Sequence, residues 1–178
     1  MTGWKPGDRR ESPREMVRVD QAGEYGAIRI YAGQLAVMGD RVPMARAIAG
    51  MARQEEVHRA YFDAMLARRG VRPTLLYPFW HVAGFALGAA TAAMGPEAAM
   101  ACTAAIETEI DHHYARQLRQ LGESDPELSD AVARFREEEV EHRDTALASG
   151  AEDAPGYPVL AGLIRLGCRA AIAVARRI

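Results

Sequence analysis

Two tetrapeptides constrain this chain more than anything else in it: Glu55-Glu56-Val57-His58 and Glu139-Val140-Glu141-His142. In each, a glutamate precedes a histidine by three residues, which on an α-helix leaves the two side chains about 60° apart on one face. A lone glutamate in an apolar helical context precedes each pair: Glu24 lies 31 residues before Glu55, and Glu107 lies 32 before Glu139. A single Glu-x-x-His arises by chance on any charged helix. Two of them, with two lone glutamates at matched offsets, point to one convergent site. Glu138 turns about 100° from Glu139 along a helix and is expected on the surface.

Four glutamates brought together in a core repel one another and resist desolvation unless cations neutralise them. Two Fe(II) ions carry the matching charge when both histidines are neutral. Hard oxygen donors with one imidazole per metal suit iron or manganese and leave positions open for O2. One Glu from each of two helices, with Glu-x-x-His from each of two others, is the ligand set of ferritin-like di-iron bundles. The expected ligands are therefore Glu24, Glu55, His58, Glu107, Glu139 and His142. Glu55 and Glu139 would bridge, Glu24 and His58 would complete one metal, and Glu107 and His142 the other. Asp20 and Asp111, one turn from Glu24 and Glu107, are expected to hold the second nitrogen of a ligand histidine. Tyr114 follows Glu107 by seven residues and returns to its face, with His113 beside it, whereas Tyr25 is expected to pack.

The chain in order supplies the helices. After a frayed tail over 1–14, apolar periodicity and stop signals predict core helices over about 14–38, 44–69, 97–121 and 126–149. Gly39, Gly70 and Gly122 end three of them, and Pro43, Pro96 and Pro126 sit at helix starts. No alternating strand pattern occurs. The fold expected is all-α: one ferritin-like four-helix domain over 15–178, with an apolar crossover helix and a C-terminal amphipathic helix.

Those two extra helices, about 74–95 and 159–177, have unusual compositions. Residues 73–96 contain no Asp, Glu, Lys or Arg. By length this run could span a membrane. A span would, however, put the second and fourth helices on opposite sides of a bilayer, where their glutamates could not share one site. It is expected instead to be the crossover that a ferritin-like bundle needs, with Gly84, Gly88 and Ala92 as a small-residue ridge and an exposed apolar outer face. After Asp153 there are no acidic residues, but there are Arg165, Arg169, Arg176 and Arg177. The stripe of 165, 169 and 176 on an apolar helix is expected to lie in the interface of an anionic membrane.

Composition excludes some classes. A formal net charge of −2 gives no footprint for nucleic acid, and there is no GxGxxG, P-loop or nucleophile motif. Cys102 and Cys168 are isolated in apolar surroundings, as expected of free thiols in a reducing compartment. The first fourteen residues lack the apolar core of a signal peptide and are acidic for a transit peptide, so a cytoplasmic origin is expected.

With those residues in place, the chain resembles the demethoxyubiquinone hydroxylases of ubiquinone biosynthesis. The resemblance is carried by Arg18-Val19-Asp20, Ala22-Gly23-Glu24-Tyr25-Gly26-Ala27, Arg29-Ile30-Tyr31-Ala32-Gly33-Gln34, Gly84-Phe85-Ala86-Leu87-Gly88, His112-His113-Tyr114 and Gly167-Cys168-Arg169. All six family iron ligands have counterparts here, while Gln21 and Ile28 depart from the family's usual His and Asn. The resemblance implies two Fe ions per chain and O2-dependent hydroxylation of a polyprenylated demethoxyquinone ring. It places the protein peripherally on a membrane: the cytoplasmic face in a bacterium, or the matrix side of the inner mitochondrial membrane in an organelle. It associates His113 and Tyr114 with quinone and electron delivery, suggests NADH as reductant, and allows for partner proteins of the pathway or a homo-oligomer. The competing reading is a ferritin- or rubrerythrin-like ferroxidase or peroxidase without an organic substrate, which needs neither the apolar crossover nor the basic terminal helix.

Overall fold

A computed structural model describes residues 10–39 and 42–177, and among the described residues all regular structure is helical. Six α-helices follow in order: α1 (Pro13–Met38), α2 (Pro43–Arg69), α3 (Tyr77–Ala93), α4 (Pro96–Leu121), α5 (Pro126–Ala148) and α6 (Tyr157–Ala175). A single 3-10 turn at Ala151–Asp153 links the last two. The fold is the expected all-α, ferritin-like bundle.

Local chemistry sets the helix ends. A capping box opens α1: the Ser12 hydroxyl accepts from the Glu15 amide while the Glu15 carboxylate accepts from the Ser12 amide. The Asp125 carboxylate caps α5 by accepting from the Leu128 amide at 3.2 Å. Gly70, left-handed at φ 58°, closes α2. The tail expected to fray through residue 14 is tied down from Glu11 onward. The Glu11 amide donates to Gln120, its carboxylate meets Arg176 at 2.8 Å, and Arg14 donates to the carbonyls of Arg69 and Gly70. Residues 1–9 lie outside the described residues. The crossover helix begins at Tyr77 rather than 74, because the Thr74 hydroxyl accepts from the Leu76 amide and holds a turn.

α1 and α4 run antiparallel, as the pairs Gln34–Ala99, Tyr31–Glu107 and Asp20–Gln117 require. α2 and α5 do the same, through Gln54–His142, His58–Glu138 and Arg69–Asp125. Two apolar clusters occupy opposite ends of the bundle. One is built on Tyr31, Ile48, Met51 and Met100, the other on Val17, Phe62, Met65, Leu128 and Phe135. The residues between them along every core helix are those singled out by the sequence, so the centre of the bundle is polar and sealed at both ends.

α3 returns alongside α1, parallel to it, and the ridge of small residues explains how closely. A Cβ at Gly88 would stand 1.9 Å from the Ile30 carbonyl oxygen, and one at Gly33 2.1 Å from that of Phe85. Backbone cannot yield as a flexible side chain does. Gly88→Val is expected to pry α3 from α1 and destabilise the protein by about 1–3 kcal/mol or more. Thermal denaturation checks this, and an unchanged melting temperature would contradict the docking geometry.

Candidate metal centre

Each core helix contributes to the centre on the face its sequence period predicts. Glu24 comes from α1, Glu55 and His58 from α2, Glu107 from α4, and Glu139 and His142 from α5, all six at most 3% exposed. Their donor atoms fall into two groups that could each hold a metal ion: Glu24, Glu55, His58 and Glu139, and Glu55, Glu107, Glu139 and His142. Within each group the atoms lie within 4.8 Å of one another, and Glu55 and Glu139 belong to both. His58 Nδ1 is 3.2 Å from Glu139 Oε1 and 3.7 Å from both Glu24 and Glu55. His142 Nδ1 is 3.2 Å from Glu55 Oε1 and 3.1 Å from Glu139 Oε2.

The distal imidazole nitrogens are held elsewhere. His58 Nε2 donates to Glu138 Oε2 at 2.8 Å, and His142 Nε2 donates to Gln54 Oε1 at 2.9 Å. A proton fixed on each Nε2 leaves each Nδ1 free to act as a ligand. Two expectations are thereby corrected. Asp20 reaches no ligand histidine: it accepts from Gln117 at 2.7 Å and faces His113 Nε2 at 3.2 Å. Asp111 instead pairs with Arg136 and Arg143. The reason is geometric. His58 of α2 turns its distal nitrogen to α5, and His142 of α5 turns its own to α2. Glu138, expected on the surface, is the His58 partner and only partly exposed. Both partners had a sequence signal, since Gln54 and Glu138 each immediately precede the glutamate of a Glu-x-x-His.

Two tyrosines buttress the lone glutamates. The Tyr31 hydroxyl donates to Glu107 Oε1 at 2.5 Å, and the Tyr114 hydroxyl donates to Glu24 Oε1. Each tyrosine follows one lone glutamate by seven residues and bonds the other. Tyr31 was not singled out from the sequence. Tyr25 packs as expected, stacked on Tyr77 at 3.8 Å, with its hydroxyl 2.5 Å from His81 Nδ1. Cys102 and Cys168 are free thiols.

Buried carboxylates dominate the electrostatics of the site. Burial, then the repulsion of neighbouring carboxylates, raises Glu55 and Glu107 well above the ordinary carboxylate range. Burial also raises Glu139, but contacts with His142 and His58 outweigh it and hold that carboxyl at about 2. Burial would lower both ligand histidines, yet the surrounding carboxylates prevail and raise them. Glu24 Oε2, both Glu55 oxygens, His58 Nδ1, Glu107 Oε2 and Glu139 Oε1 are buried with no hydrogen-bond partner. Hard oxygen donors with two imidazoles, desolvated and unsatisfied toward a common centre, fit metal ions.

Beside the centre lies an open-sided cavity of about 440 Å³, lined by α1, α3, α4 and α6 and almost wholly apolar. Ile30, Leu87, Ile106, Leu163 and Ile164 line its length, while Glu24, His113 and Tyr114 reach its wall. His113 stands outside the carboxylate cluster, buried against Asp20 and Gln117, and burial lowers it to about 4, which keeps it neutral.

A ferritin-like bundle with two abutting carboxylate–imidazole clusters, sharing two glutamates and flanked by an apolar cavity, defines a class of carboxylate proteins with a paired candidate metal site. The family model for ubiquinone biosynthesis protein COQ7 matches residues 11–175, and this chain belongs to that family. It is 53% identical over 177 residues to the 3-demethoxyubiquinol 3-hydroxylase of Rhodospirillum rubrum, spanning 97% of this chain and 82% of that protein. It is 49% identical over 173 residues to the mitochondrial NADPH-dependent 3-demethoxyubiquinone 3-hydroxylase of Bos taurus, spanning 95% and 79%. To the mitochondrial 5-demethoxyubiquinone hydroxylase of Saccharomyces cerevisiae it is 41% identical over 179 residues, spanning 92% and 77%.

The proton affinities fix a pH dependence. In the metal-free protein the raised Glu55 and Glu107 retain protons that the unfolded chain loses above its ordinary carboxylate value, and the raised histidines do so above the ordinary imidazole value. The folded state then binds more protons, so stability falls as pH rises through neutrality. Glu139 acts oppositely, but only as pH falls from about 4.5 toward 2. Metal displaces the protons, so stabilisation by anaerobic Fe(II) is expected to grow from pH 5.5 to pH 8. Melting curves of both forms test this, and a constant gap would count against metal binding among these groups.

A second expectation concerns Glu138. Replacing it with alanine frees His58 Nε2 and should weaken metal binding about 10–100-fold, whereas Asp111→Asn should not. Competitive chelator titration distinguishes the two, and equal affinities would sink the assigned partner.

Proposed function

We propose that this protein is a di-iron, O2-dependent hydroxylase of the polyprenylated demethoxyubiquinone or demethoxyubiquinol ring in ubiquinone biosynthesis. The observation that carries the reading is the apolar cavity meeting the carboxylate centre at Glu24 and Tyr114. A ferroxidase or peroxidase acting on small inorganic substrates has no use for such a channel, whereas a ring with an isoprenoid tail requires one.

Glu24, Glu55, His58 and Glu139 would hold one iron, and Glu55, Glu107, Glu139 and His142 the other, since Glu55 and Glu139 belong to both groups. When bound, the iron pair supplies the electrons and open coordination positions that activate O2. The protein does the rest. The Tyr31 and Tyr114 hydroxyls fix the orientation of Glu107 and Glu24, and Glu138 and Gln54 fix the imidazoles. Apolar side chains exclude water where the ring sits. His113 and Tyr114 meet the ring at the inner end of the cavity, as the proposed route for substrate and electrons. Electrons come from a nicotinamide donor: the family resemblance suggests NADH, whereas the bovine relative's name specifies NADPH.

Substrate reaches the cavity from a bilayer. The outer faces of α3 and α6 expose Phe79, Val82, Phe85, Val159, Leu163 and Leu166. α6 is long and apolar enough to cross a membrane by composition, but Ala161, Ile164 and Ala175 are buried against the bundle, and it lies along α4. The expected arginine stripe is partly exposed and also pairs with the protein. Arg165 Nε donates to the buried Glu109 at 2.7 Å, Arg169 lies 3.7 Å from the same oxygen, and Arg176 meets Glu11. Docking is therefore driven by apolar burial, with Arg177 left for anionic headgroups. It places the protein on the cytoplasmic face of a bacterial membrane, or the matrix face in a mitochondrion, with room for a second copy or a pathway partner.

The decisive experiment supplies the iron-loaded protein with demethoxyquinone, a nicotinamide reductant and isotopically labelled O2. One labelled oxygen in the ring is expected. Iron oxidation without ring hydroxylation would restore the ferroxidase reading. For docking, Phe79→Ser with Leu163→Ser should reduce vesicle binding severalfold at unchanged iron content. Unaltered binding would remove α3 and α6 from the docking face.

A further inference from the structure

We infer that Gly23 and Gly26 of α1 form a side-chain-free seat for the planar head group of the substrate, and so determine which rings can lie beside Glu24. The inference rests on the hydroxylase reading and deepens it.

Both glycines lie inside a helix at ordinary helical φ. A helix-interior glycine sacrifices stability relative to alanine, so each needs a reason. Packing is the reason at Gly33, Gly84 and Gly88, where an added Cβ would collide with the neighbouring helix. It is no reason at Gly23 and Gly26, where an added Cβ meets nothing within 4 Å. The open space is the cavity, whose wall both residues form.

Their position specifies the occupant. Gly23 and Gly26 are one helical turn apart on one face, and Gly23 is exposed although its neighbours Ala22 and Glu24 are buried. The bare backbone they present is flat, which suits the face of an aromatic ring better than a branched isoprenoid chain. Glu24, which touches the cavity, is the ligand-group residue nearest them in the chain, and His113 and Tyr114 stand in the same wall. The polar side chains of the wall are few and include Glu24, His113 and Tyr114, which suits a head group carrying ring oxygens at this point and not a hydrocarbon tail.

The test exploits an opposition between stability and function. Gly23→Ala and Gly26→Ala should each raise the melting temperature by about 2–4 °C, because alanine favours the helix and its methyl group meets no protein atom. Each should also lower kcat/KM for a short-tailed demethoxyquinone roughly tenfold or more, since the methyl group occupies the ring's place. Iron content should be unchanged, and the rise in melting temperature given by the same analogue in wild type should be lost. Gly50→Ala, on α2 away from the cavity with equally open space, should be stabilised with activity intact. Full activity in both alanine variants overturns the seat. Loss confined to long-tailed substrate overturns it too, assigning the glycines to the tail. Wild-type protein that hydroxylates neither substrate overturns the function proposed above, an outcome distinct from either.

Discussion

Four carboxylates enclosed by apolar ends are the constraint on which the rest of this bundle depends. Each resists desolvation, and each raises the proton affinity of its neighbours. No single helix can relieve this. The relief comes across helices and in reciprocal pairs: Tyr31 of α1 serves Glu107 of α4, and Tyr114 of α4 serves Glu24 of α1. Glu138 of α5 serves His58 of α2, and Gln54 of α2 serves His142 of α5. The centre is therefore incomplete until both antiparallel pairs have formed. Cations held at the two clusters would tie all four core helices together and so couple metal binding to bundle stability.

That reciprocity explains what the sequence reveals and what it conceals. Spacing along one helix is legible: Glu-x-x-His puts two ligands on a face, and matched offsets identify the lone glutamates. Helix ends are legible too, because Gly70 and the Ser12–Glu15 box act locally. Partnerships across helices depend on packing that the spacing does not encode. Asp20 and Asp111 stand one turn from Glu24 and Glu107, and spacing alone points them at the histidines. Histidine orientation, not proximity along the chain, selected Glu138 and Gln54 instead. Glu138 looked like surface by helical phase alone, yet a partly exposed carboxylate at the seam still reaches an imidazole behind it. Tyr31 mirrors Tyr114 in spacing, but only the packing of α1 on α4 reveals that it bonds Glu107.

The C-terminal helix gives the complementary lesson. Its arginines form one stripe, as the sequence shows, but a stripe has no assigned direction until the helix is docked. Glu109 decides it. A carboxylate buried on α4 demands a cation, and Arg165 and Arg169 supply one from a single face of α6. Reversing those charges would set acids against a buried acid and loosen the helix, so such a change reports on the fold and not on the membrane.

With Arg165 and Arg169 paired to Glu109, the exposed large side chains of α6 are Val159, Leu163, Leu166 and Val174, and α3, which has no Asp, Glu, Lys or Arg, is apolar outside by composition. The two helices flank the same cavity from opposite sides, α3 held to α1 by glycine-mediated contact and α6 held to α4 by the Glu109 pairs. On the hydroxylase reading, a lipid-dissolved ring then enters between two apolar surfaces without crossing water. It meets the first polar groups at His113, Tyr114 and Glu24. On the same reading the interactions that dock α3 and α6 do two things at once: they shield the carboxylates with apolar side chains, and they leave an apolar path suited to a substrate with an apolar tail.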